Sequence, residues 1–137
     1  MILDYKNIYL IDDDAIVNRF NRKLIENTKL FEAIEFSLNP SKSLIDLSFR
    51  IDKNDKFPGL IMIDLSMPEM NGFEFIDELD ELFEAKNLIN FPIFIILTSS
   101  TYKRDVEQFL KTPSVKRFLT KPLKIEEFNK ILKELNI

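Results

Sequence analysis

Apolar residues gather along this chain in short runs that stop at polar tips. The central run, Leu60-Ile61-Met62-Ile63, is too short for a helix packing alone and lacks alternation, which is the pattern of a strand buried on both faces. It stops at Asp64, and Met67-Pro68-Glu69-Met70-Asn71-Gly72 then turns the chain. Pro68 has no amide hydrogen and Gly72 tolerates positive φ, so the spacing predicts a tight connection into the next helix. Ile8-Tyr9-Leu10-Ile11 has the same form, stopping at Asp12-Asp13-Asp14 before Ile16, Val17, Phe20, Leu24 and Ile25 recur at helical spacing. Phe31 to Leu38 mostly alternates, as a strand does. Asn39-Pro40 ends it, and Ser41 or Ser43 is the candidate cap of a helix reaching about Phe49 or Ile51. The polar loop Asp52 to Lys56 closes with Pro58-Gly59 just ahead of the central run.

Beyond Gly72, the residues Phe73, Phe75, Ile76, Leu79, Leu82 and Phe83 predict an amphipathic helix whose polar face is strongly acidic and reads as solvated. Pro92 opens a further buried strand, Ile93 to Leu97, which ends in Thr98-Ser99-Ser100-Thr101. A shorter, weaker helix marked by Val106, Phe109 and Leu110 follows, then a last strand from Val115 to Leu119 ending at Thr120-Lys121-Pro122. Phe128, Ile131, Leu132 and Leu135 give the closing helix an apolar stripe from Ile125 to Leu135. Five strands alternating with five helices argue for an α/β domain with a parallel sheet, right-handed crossovers and helices on both faces.

Composition narrows the chemistry. A length of 137 residues suits one domain, with its core from about residue 7 to 135, and 45% hydrophobic residues give it a packed interior. The net charge of −4 is interspersed, so no basic field marks a nucleic-acid partner. There is no Cys and no His, which removes disulfides, thiolate nucleophiles, Cys/His zinc sites and Ser-His-Asp triads. No apolar stretch approaches the roughly 20 residues of a membrane span, and the N-terminus lacks a signal core. No membrane partner and a cytoplasmic location are therefore expected.

If the strands lie parallel, their carboxyl ends bring together Asp12, Asp13, Asp64, Thr98 and Lys121 at the edge where open α/β sheets bind ligands. Each alone has an ordinary explanation: a loop aspartate in solvent, an Asp triplet capping a helix, a capping threonine, a surface lysine in a turn. Together, three carboxylates repel one another unless a cation neutralises them, and without His or Cys the fitting cation is Mg²⁺. Such a site supports attack by the Asp64 carboxylate on a phosphoryl group, giving an aspartyl phosphate.

The acid pair Asp12-Asp13 after Ile8 to Ile11, Asp64 followed by Met67-Pro68-x-Met70-Asn71-Gly72, Thr98 after the fourth strand and Lys121-Pro122 after the fifth resemble the response-regulator receiver domain of two-component signalling. That resemblance runs from about Asn7 to Leu135. It implies a flavodoxin-like, doubly wound five-stranded parallel sheet in the order 2-1-3-4-5, with five helices in three α/β/α layers. It also implies roles. Asp64 would be the phospho-acceptor. Asp13 would ligate Mg²⁺ directly and Asp12 through water, with Asp64 and the backbone carbonyl of Ser66 completing the protein ligands. Lys121 would pair with the phosphate, Thr98 would swing in to hydrogen-bond it, and Phe118 would be the switch aromatic that follows Thr98. Ser66 and Ser100 stand at positions that tune phosphate lifetime, and small hydroxyls there imply a moderate one.

The function so implied is a stand-alone, Mg²⁺-dependent phosphoryl acceptor, as monomer or phosphorylation-dependent dimer. It would be loaded by a sensor histidine kinase or histidine phosphotransfer protein and would present its fourth helix, fifth strand and fifth helix to a downstream protein. Catalysis would be limited to Asp64's own phosphorylation and dephosphorylation. The alternative is an interaction module that keeps the fold and never cycles phosphate. A phosphatase with Asp64 as nucleophile would need an acid-base aspartate where Ser66 stands.

Overall fold

The structure is a computed structural model that describes residues 2–99 and 102–137. Five strands, β1 (Leu3–Ile11), β2 (Ala33–Ser37), β3 (Phe57–Asp64), β4 (Ile93–Thr98) and β5 (Val115–Thr120), alternate with five helices. These are α1 (Ala15–Thr28), α2 (Pro40–Asp52), α3 (Gly72–Ala85), α4 (Lys103–Leu110) and α5 (Ile125–Glu134). All neighbouring strands pair parallel in the order β2-β1-β3-β4-β5, the flavodoxin-like arrangement expected.

Because alternate side chains of a strand point to opposite faces, the sheet feeds two cores. Tyr9, Ile11, Ile61, Ile63, Phe94 and Ile96 pack with α2 and α3. Ile8, Leu10, Leu60, Met62, Ile95 and Leu97 pack with Ile25 of α1 and Phe128, Ile131 and Leu132 of α5. Every residue of β3 is buried, which explains its unbroken apolar run.

Five details depart from the pattern-based expectation. Strand β3 begins at Phe57 and takes in Pro58-Gly59, which the sequence places in a loop, because Phe57 and Pro58 pair with Leu3 and Asp4 of a longer β1. A Cβ at Gly59 would lie 2.6 Å from the Tyr5 ring and 2.8 Å from its Cα, so only glycine lets β1 approach. The α2 cap is Asn39, whose side chain accepts from the Lys42 amide at 3.0 Å, and neither Ser41 nor Ser43. Pro40 sits in the first turn, where its missing N–H costs nothing. Strand β2 is only five residues long, since its register with β1 runs from Ala33 to Ser37, with the Glu32 amide donating to the Lys6 carbonyl at 2.8 Å just ahead of it.

The fourth departure is the orientation of α1. It buries Asn18, Asn21 and Ile25, while Ile16 (81% exposed) and Phe20 face outward. The Asn18 amide nitrogen donates to the Ser37 carbonyl at 2.9 Å and the Asp12 carbonyl at 3.3 Å, and these bonds turn the helix. Fifth, Gly72 has no positive φ; what it offers is closeness, since a Cβ would crowd the Asp64 carbonyl oxygen at 3.1 Å and the Leu65 Cα at 3.3 Å.

Candidate functional site

Strand register decides which residues meet. Ile11 pairs with Ile63, so Asp12 and Asp64 emerge side by side from β1 and β3. Asp64 pairs with Leu97, and Thr98 follows at the end of β4. Thr98 pairs with Thr120, which leaves Lys121 just beyond β5, before a cis Lys121-Pro122 peptide. Four strands thus deliver their polar tips to one edge.

The distances are those of a shared site. Carboxylate oxygens of Asp12, Asp13 and Asp64 lie within 4.8 Å of one another. The Lys121 ammonium donates to Asp12 Oδ2 at 2.9 Å and lies 3.1 Å from Asp64 Oδ1. Asp12 and Asp64 are only 4% and 6% exposed, whereas Asp13 is open to solvent. Burial, then the Asp12 charge, push the Asp64 carboxyl up to about 6, against the lowering effect of Lys121. Burial pulls Lys121 down, but its bond to Asp12 and the charge of Asp64 outweigh that and hold it above the usual lysine range. One ammonium does not neutralise three carboxylates.

The loops carrying these groups are tied down by their own backbone. Asp12 Oδ1 accepts from the Asp14 amide at 2.9 Å, and Asp14 caps α1 by accepting from the amides of Ile16 and Val17. Within the triplet, then, one aspartate does the capping and two face the site. After β3, the Leu65 amide donates to the Leu97 carbonyl at 3.0 Å and the Gly72 amide to the Leu65 carbonyl at 2.9 Å. Asn71 and Glu74 close a reciprocal capping box at the start of α3. The Lys121 amide donates to the Thr98 carbonyl at 2.6 Å, which joins the last two tips.

Thr98 is fully buried at its strand end, so it does not cap α4; that helix begins after Tyr102. Phe118 is half-buried on β5 between Phe73 and Phe109, with ring centroids at 6.4 and 5.6 Å. Ser66 is exposed two residues past Asp64, and Ser100 lies outside the described residues. Sequence reasoning passed over Asn18, which holds the backbone of Asp12 against β2. Asn18, Asn21 and Ile25 share one face by their spacing, but only the Ser37 and Asp12 carbonyls turn that face inward.

A family model described as "Response regulator receiver domain" matches residues 8–133. The chain belongs to the response regulator receiver family. A two component response regulator from Cytophaga hutchinsonii is 30% identical and superposes with a TM-score of 0.82, over 96% of this chain and 97% of that one. The receiver domain of the histidine kinase CKI1 from Arabidopsis thaliana, crystallised with Mg²⁺, has a TM-score of 0.80 at 18% identity, covering 97% of this chain and 93% of that one. At that identity it shows the shared fold alone. A protein-glutamate methylesterase/protein-glutamine glutaminase from Treponema denticola is 27% identical over 123 residues, 89% of this chain. The chain spans 30% of that relative's length.

Receiver domains are signalling modules, and their acidic pocket binds Mg²⁺. The donor set of this receiver fits that ion: three hard carboxylates in reach of one another, too few positive charges to balance them, and no cysteine or histidine in the chain. No helix among the described residues is long and apolar enough to cross a membrane.

Proposed function

We propose that Asp64 accepts a phosphoryl group in a Mg²⁺-dependent reaction and that the single receiver domain, with its core from about residue 7 to 135, switches a protein-binding surface in response. What carries this reading is the triad of carboxylates within 4.8 Å with Lys121 bonded between two of them. Asp12, Asp13, Asp64 and the Ser66 carbonyl would hold the ion, which supplies charge neutralisation between carboxylate and phosphoryl oxygens.

The remaining steps belong to side chains of this chain. An Asp64 carboxylate oxygen attacks phosphorus; the bond from phosphorus to the donor's nitrogen breaks, and the electron pair leaves with the histidine of a kinase or phosphotransfer protein. The Lys121 ammonium, already 3.1 Å from Asp64, then pairs with the phosphoryl oxygens. The Thr98 hydroxyl donates to the same group, and Phe118 follows into the space behind it, altering the surface of α4, β5 and α5. Water later attacks phosphorus, the bond from phosphorus to the Asp64 oxygen breaks and inorganic phosphate leaves, at a rate that the small hydroxyl residues Ser66 and Ser100 tune.

A protein donor suits the rim. Beside Lys121, a cavity of about 340 Å³ is lined by Ile16, Val17, Phe20, Pro122 and Leu123, and the outward-facing Ile16 and Phe20 leave an apolar surface next to the acceptor. The test is intact-mass measurement after incubation with acetyl phosphate and Mg²⁺. A single phosphoryl adduct is expected, absent in Asp64→Asn and without Mg²⁺, and strongly reduced in Asp13→Asn. An adduct that persists in Asp64→Asn would refute the assignment.

A further inference from the structure

Helix α3 carries six acids, Glu74, Asp77, Glu78, Asp80, Glu81 and Glu84, and no base. The whole chain has a net charge of −4, so everything outside this helix is net positive. Like charges three and four positions apart, such as Glu74 with Glu78 and Glu78 with Glu81, each cost an isolated helix about 0.2–0.5 kcal/mol. Partial burial, then Glu81 and Glu74, hold Asp77 above the ordinary carboxylate range. A merely solvated face gains nothing from leaving out every lysine.

Two of these acids, Glu78 and Glu81, border a groove. Leu44, Ile45 and Phe49 of α2 and Leu82 and Ala85 of α3 line a channel of about 700 Å³, room for a row of side chains. Ile45 is 71% and Phe49 60% exposed, so two large apolar side chains lie open beside Glu78 and Glu81. At one end Lys86 lies 3.2 Å from Asp52, and Lys53 sits 5.5 Å above the Phe49 ring. Those bases engage the α2 end, and the charge facing the channel from α3 is negative. An apolar floor with an acidic wall is complementary to a helix that is aliphatic on one side and basic beside it.

We propose that the α2/α3 groove docks a basic amphipathic helix of a partner protein, its aliphatic side chains lying against Ile45 and Phe49 and its lysines or arginines facing Glu78 and Glu81. The groove shares no residue with the acceptor site, so docking does not depend on Asp64 and stands or falls separately from the phosphorylation reading.

The probe is a synthetic helix of about 18 residues, five turns, with leucines at i, i+4, i+7 and i+11 flanked by lysines. A version with glutamates in place of the lysines and a shuffled version of the same composition are the controls. Binding to the full chain is followed by fluorescence anisotropy and by mapping amide chemical-shift changes. The expected result is binding of the basic helix in the micromolar range with shifts confined to α2 and α3. Ile45→Ser with Phe49→Ser, and separately Glu78→Lys with Glu81→Lys, should each weaken it about tenfold or more. These positions are exposed, and a native amide spectrum of each variant confirms its fold. Asp64→Asn should bind as the unmodified chain does. Equal binding of the shuffled or the glutamate peptide, shifts mapping elsewhere, no binding, or a dimer of this chain that occupies the groove would each overturn the proposal.

Discussion

Two partly buried charge clusters sit on the same sheet and differ in one respect. At the β1-β2-α2 corner, Arg50 bonds Glu35 through both terminal nitrogens and reaches Asp46 Oδ2 at 3.0 Å. Asn7 donates to Glu35 at 3.0 Å, and the Tyr9 hydroxyl donates to Asp46 at 3.3 Å. Hydrogen bonds from Arg50 hold Glu35 below the usual carboxylate range despite its burial. At the carboxyl edge, three carboxylates share one lysine and Asp64 is pushed up to about 6. In the first cluster two carboxylates share one guanidinium, and the added hydrogen bonds from Asn7 and Tyr9 complete a set of partners that holds three elements together. The second has three carboxylates to one ammonium, a larger negative surplus, which suits a site built to receive something positive.

Breaking the first cluster has the largest expected effect. Arg50→Met strands Glu35 and Asp46 without their cation and should cost about 3 kcal/mol in urea unfolding, at the low end for buried pairs because these groups are partly exposed. Relieving the surplus cluster should do the opposite. Asp64→Asn should stabilise the metal-free protein by about 2 kcal/mol at pH 7.5. The sign follows from the raised carboxyl: ionising Asp64 in the folded state is penalised, so wild-type stability falls as pH rises from the ordinary value of 3.8 to about 6. The gap between variant and wild type should therefore open across that window and vanish below it. Glu35 slopes the other way, since its lowered carboxyl contributes stability that is lost as pH falls through its folded value.

Mg²⁺ sharpens the contrast further. At ten times its Kd, the ion should stabilise the wild type by about 1.4 kcal/mol. It should do little for Asp13→Asn and leave the deficit of Arg50→Met unchanged, as thermal melts with and without the ion would show. Smallest is the exposed pair of Lys86 and Asp52, where Lys86→Ala should cost under about 0.5 kcal/mol. A larger loss there would remove burial and matching as what separates the clusters.

Much of this was legible in the chain because the informative signals are local. Four consecutive apolar residues ending in Asp64 identify a buried strand and its tip wherever that strand sits in the sheet, and the same holds for Ile8 to Ile11 before Asp12. Signals that depend on a distant partner were not legible. The spacing of Ile16, Val17, Phe20, Leu24 and Ile25 gives α1 an apolar stripe, yet Asn18 and Asn21 face inward with Ile25 because the Ser37 and Asp12 carbonyls await Asn18. Gly59 read as a turn and is a strand residue whose missing Cβ admits Tyr5. The acids of α3 read as solvated, and only the neighbouring α2 reveals that Glu78 and Glu81 wall an apolar groove.

Residue order alone settled the alternation of strand and helix and the polar residue at each strand tip, since period and punctuation act over a few positions. Packing of distant segments settled which tips touch, which way α1 turns and which charges are matched. Register between β1, β3 and β4 places Asp12 beside Asp64, and the turn after β5 brings in a lysine more than a hundred residues from Asp12. Charge energies vary steeply with separation and with burial, and both of these come into being only when the sheet closes.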